Sequence, residues 1–68
     1  MNEEVLNTSV RKFLKKLGVT AQREIEIAVR RAAAEGRLKD GEELSAEAIV
    51  SIEAIGLSLS VEGPIAVD

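Results

Sequence analysis

Seven side-chain hydroxyls, on Thr8, Ser9, Thr20, Ser45, Ser51, Ser58 and Ser60, are the groups in this chain that could attack a substrate carbonyl, and the sequence holds no histidine, cysteine or tyrosine to assist them. A serine nucleophile without histidine needs a lysine or a rarer base to take its proton. Every lysine lies at or before Lys39, so Thr8 or Ser9 beside Lys12 is the one local pairing available. That lysine falls on the solvated face of a helix. Carboxylates are the second chemistry to test. Glu42 and Glu43 are adjacent in a polar segment, and Glu53 and Glu62 are expected on one face of a hairpin. Acid–base work requires a cleft that perturbs one carboxyl, and a short chain with one aromatic residue has little material to build one. Asp40-Gly41-Glu42 lacks the spacing of a calcium loop, and the five glycines are isolated, with no phosphate-loop pattern. The expectation is a non-enzymatic protein with no catalytic residues, no cofactor, no metal and no small-molecule ligand.

Charge offers a different function. Residues 1–39 hold nine Lys and Arg against five acids, whereas residues 40–68 hold seven acids and no base. Arg11, Lys12, Lys15 and Lys16 cover the face of the first helical segment opposite its apolar stripe, and Arg23, Arg30 and Arg31 lie on the outer face of the second. A nucleic-acid reading would use Arg11, Lys15, Arg23 and Arg30, with the second helix as the recognition helix of a helix-turn-helix-like corner. Two features oppose it. Glu24 occupies a position where that motif takes an apolar residue, and the net charge of the chain is −3. The simpler reading is a solvated basic face that complements the acidic tail.

The elements that must position these groups follow from period and punctuation. Residues 2–17 read as a helix, with Asn2 as N-cap and Glu3 and Glu4 at the positive end of the helix dipole. Leu6, Val10, Phe13 and Leu17 form its stripe, with Leu14 at the margin. Gly18 fits a helix stop, and Thr20 fits the N-cap of a second helix over residues 21–35, whose stripe is Ala21, Ile25, Ala28, Val29 and Ala32. Gly36 is the second stop. The polar segment 37–45 reads as a loop. Residues 46–55 and 58–67 read as two strands joined by a type II′ turn at Gly56-Leu57. That turn places Ile52 opposite Val61, Val50 opposite Gly63, Ala48 opposite Ile65 and Ala54 opposite Leu59, so one face is apolar. Pro64 has no N–H to donate, which assigns its strand to an edge.

The fold expected is therefore α+β, a single small domain over residues 1–68. A two-helix hairpin packs on an antiparallel β-hairpin (α-α-β-β), with a second copy completing the sheet. No apolar stretch approaches the ~20 residues that span a bilayer, and Met1-Asn2-Glu3-Glu4 is acidic where an export signal is basic. These observations give a cytoplasmic expectation without membrane association.

The helical half carries a likeness. Arg11-Lys12-Phe13-Leu14-Lys15-Lys16-Leu17-Gly18-Val19-Thr20, followed by Gln22-Arg23-Glu24-Ile25-Glu26 and Ala28-Val29-Arg30, resembles a family of small bacterial proteins that carry only a domain-of-unknown-function label. Ile55-Gly56-Leu57, Val61-Glu62-Gly63 and Ile65-Ala66 resemble that family's ending, while Ala54 and Pro64 depart from it. The resemblance spans nearly the whole chain. It implies a stand-alone bacterial domain, and it implies no activity and no site residues.

A chain of this size buries roughly 60% of the surface that it exposes when unfolded. Such small domains take a disulfide, a metal or a partner subunit as a staple. With no Cys and no His, the partner subunit remains. The function expected is protein–protein interaction, first as a homodimer. Ile27, which points away from the helical stripe, and Pro64, at the strand edge, are the candidate contact residues.

Overall fold

Asn2 starts the helix as its sequence position foretells. The Asn2 side-chain oxygen accepts from the N–H groups of Glu4 and Val5 at 3.0 and 3.1 Å. These are two of the donors that a helix start leaves without a partner. In the computed structural model, which describes residues 1–68, the helix that follows is α1, Glu3–Ala34. At 1.5 Å per residue its 32 residues extend about 48 Å. It ends where Gly36 adopts a φ of 72°. The Arg37 N–H donates to the Ala32 carbonyl at 2.9 Å and the Gly36 N–H to the Ala33 carbonyl at 3.1 Å. This is the paired closure of a Schellman motif, and a left-handed residue is required at its turning point.

The two-helix hairpin is not formed, because α1 runs through Gly18-Val19-Thr20 without a break. Gly18 has a negative φ, and Thr20 is an interior helical residue. A glycine inside a helix costs about 1 kcal/mol relative to alanine. Stopping there would instead leave four carbonyls and four N–H groups without helical partners. The stripes on either side of Gly18 also join. Leu17, Ala21 and Ile25 follow one another at four-residue spacing. Residues 6, 17 and 28, and residues 10, 21 and 32, repeat at eleven, a period of about 3.67 residues per turn that an almost straight helix can follow.

The second half is a β-hairpin. Strand β1 is Glu43–Ile52 and β2 is Leu57–Ala66, paired antiparallel. A single 3-10 turn, Glu53–Ile55, connects them, and it closes with Gly56 at φ 66° and a Gly56 N–H donating to the Glu53 carbonyl at 3.0 Å. The connection therefore uses four residues rather than the two of a type II′ turn. The strands begin and end earlier than the expected 46–55 and 58–67. Each partner is displaced by four: Val50 faces Leu59, Ile52 faces Leu57, Ala48 faces Val61, and Glu47 faces Glu62. Ala54 and Glu53 lie in the turn rather than in a strand. Because the displacement is even, the faces survive. Leu44, Ala46, Ala48, Val50 and Ile52 still share a side with Leu57, Leu59, Val61, Gly63 and Ile65. Both strands of a two-stranded sheet are edges, which is where a proline is tolerated.

The chain divides into two compact units, Met1–Arg37 and Leu38–Asp68. The first carries eight Lys and Arg against five acids, net +3, and the second one Lys against seven acids, net −6. A turn opens the second unit. The Glu42 N–H donates to the Lys39 carbonyl at 3.1 Å, and the Glu42 carboxylate accepts from the Lys39 N–H at 2.9 Å. The Asp68 carboxylate accepts from the Gly41 N–H, which ties the end of the chain to this turn. No helix is long and apolar enough to cross a membrane.

Candidate functional site

Two apolar faces, one per unit, are the most extensive exposed features of this molecule. On α1, Leu6, Val10, Phe13, Leu14, Leu17, Ala21, Ile25, Ala28 and Ala32 occupy about a third of the circumference, the width of a core-facing stripe. Yet Leu6, Val10, Phe13, Leu14 and Leu17 are 36 to 52% exposed, and only Ala21, Val29 and Ala32 on the helix reach half-burial. Glu24 and Arg31 interrupt the stripe along one margin. On the hairpin, Leu44, Ala46, Val50 and Ile65 are half-buried, while Ile52, Leu57, Leu59 and Val61 stay exposed on the same face. No side chain of either unit is fully buried.

The basic residues other than Arg31 lie outside the stripe of α1. Arg11 and Lys15 are one turn apart, and Arg23 and Arg30 are two turns apart on a shared side. Arg30 pairs with Glu26 at 3.6 Å, and Glu26 also accepts from the Gln22 side chain at 3.2 Å. An exposed i, i+4 pair of this kind contributes a few tenths of a kcal/mol. The corner on which the helix-turn-helix-like alternative rested is absent, so Arg23 does not open a recognition helix. It sits in mid-helix, with basic residues spread over several turns on both sides.

Ile27 is 43% exposed and lies away from the stripe. Val19, between the two helices that the sequence suggests, is a helical residue, 59% exposed. Pro64 faces Ser45 on the polar side of the hairpin. That side also carries Ile49, 65% exposed, which the alternation of β1 marks as an apolar residue among Glu47 and Ser51. Ser60 lies there too, donating to the Glu47 carboxylate at 2.8 Å. The remaining carboxylates do not converge. Glu53 is in the turn, Glu62 faces Glu47, and Glu42 is engaged by its own loop. Thr8, Ser9 and Lys12 line an open part of the helix surface.

Residues 1–68 match the model of a family of unknown function, DUF6494. The chain belongs to that family. Comparison with curated proteins and with solved structures returned no match. Membership agrees with the resemblance carried by the helical segment and the tail. It extends over the full chain.

Proposed function

We propose that this DUF6494 protein is a non-catalytic interaction module whose first partner is a second copy of itself. One observation carries the reading: each unit has a continuous apolar face, and neither buries a single side chain. A lone helix has no second element within itself to cover its stripe. A lone two-stranded hairpin is at best marginally stable in water. Cover must come from outside each unit, and a chain without cysteine or histidine has neither a disulfide nor the commonest metal ligand to substitute for it.

The test is solution mass, by light scattering or sedimentation, from micromolar to millimolar chain. The expected result is a species of at least twice the 7.3 kDa chain mass, dissociating on dilution. A 7.3 kDa particle that keeps its helical and strand signals throughout the series would overturn the reading.

A further inference from the structure

We infer that the second copy docks helix to helix, with α1 of one chain antiparallel to α1 of the other, an inference that rests on the self-association just proposed. The stripe of α1 is graded. Its first half carries large side chains, Leu6, Val10, Phe13 and Leu17, and its second half mostly small ones, Ala21, Ala28 and Ala32, with Ile25 between them. An antiparallel pair centred near residue 19 sets Leu6 opposite Ala32, Val10 opposite Ala28, Phe13 opposite Ile25, and Leu17 opposite Ala21. Three of the four layers then match large with small, which lets two helices approach at even spacing along their length. A parallel pair in register stacks large on large at one end and alanine on alanine at the other, so the axes would have to splay.

Charge favours the same direction. Glu24 and Arg31 lie at the margin of the stripe. In the antiparallel pair Arg31 lies at the level of Asn7 of the partner helix, one turn from Glu3 and Glu4. The acidic first turn of one helix then lies near the arginine-bearing last turn of the other, and the positive and negative dipole ends lie side by side. The hairpin does not offer this match. It is acidic as a unit, but its strand carboxylates Glu43, Glu47 and Glu62 lie on the face opposite its apolar side.

The chain has no cysteine, so introduced thiols report on direction without interference. Full-length Leu6→Cys and Ala32→Cys chains, each first shown to keep the wild-type mass, are mixed and equilibrated in a glutathione buffer. Antiparallel docking predicts the mixed disulfide in about tenfold excess over either homodisulfide, because exchange selects the pairing that the fold holds together. The pair Val10→Cys and Ala28→Cys must give the same preference, which guards against one perturbed variant. Predominance of the Leu6→Cys homodisulfide overturns the inference in favour of parallel helices. A dimeric mass with no disulfide preference in either pair also overturns it, and leaves self-association standing through another face. A monomeric wild-type mass removes both.

Discussion

The helical unit satisfies its own backbone and lacks cover only for one row of side chains, whereas the hairpin lacks cover for side chains and backbone alike. In α1 each interior N–H has a carbonyl four residues back, Asn2 closes the first turn, and the Gly36 motif closes the last. In the hairpin, β1 and β2 pair only with each other. Half of their N–H and C=O groups therefore point away from the ladder. The comparison teaches that the two units leave different groups open: side chains alone on the helix, side chains and backbone on the hairpin. The helix can be stabilised by any apolar surface of matching shape. The hairpin also gains from strand addition at either edge, where Glu43, Glu47 and Glu62 supply the charge that restrains indiscriminate pairing.

The comparison can be broken hardest at Gly18. Gly18→Pro should destabilise α1 by about 3 kcal/mol or more, since proline removes a mid-helix hydrogen bond and clashes with the preceding turn. Far-ultraviolet circular dichroism should show a large loss of helix with the strand signal retained. Were Gly18 the end of a helix, proline would spoil only that cap and leave two shorter helices, and most of the helix signal, in place. Next in size is a contrast of sign. Gly36→Ala forces a side chain into φ 72° and should cost about 1 kcal/mol or somewhat more. Gly18→Ala should stabilise by up to about 1 kcal/mol, because an added Cβ there meets nothing within 4 Å. Thermal melts of the two variants should move in opposite directions, and parallel shifts would contradict an unbroken helix. Asn2→Ala should cost about 1 kcal/mol through two unsatisfied N–H groups, read as increased amide exchange at Glu4 and Val5. The smallest effect belongs to the hairpin. Glu62→Lys turns the like-charge pair with Glu47 into an opposite one and should stabilise it by a few tenths of a kcal/mol. The gain should vanish at high salt.

Much of the molecule was legible residue by residue. The N-cap at Asn2 and the stop at Gly36 are local chemistry, and both are used as their types suggest. The alternation from Leu57 to Val61 identified a strand, and parity identified its apolar face. Gly18 misled because it carries the same signal as Gly36 with Thr20 in cap position behind it. Punctuation says where a helix can end, not whether ending is favourable. The strand register misled for a different reason. A displacement of four leaves every residue on its original face, so alternation cannot distinguish Val50 opposite Leu59 from Val50 opposite Gly63. Of the candidate contacts, Ile27 was found as an isolated apolar residue.

The sequence by itself determined the α+β class, both ends of the helix, the glycine of the hairpin turn, the two-faced character of the strands and the charge division between the halves. Each of these rests on interactions within a few residues or on side-chain period alone. The folded structure decided that one helix replaces two and that four residues rather than two reverse the strands. Both decisions weigh a local preference against hydrogen bonds formed along the length of a whole element. In α1 those bonds outweigh a glycine's cost of about 1 kcal/mol, and in the hairpin the geometry of the Glu53–Gly56 turn fixes a register that the apolar pattern permits but does not choose.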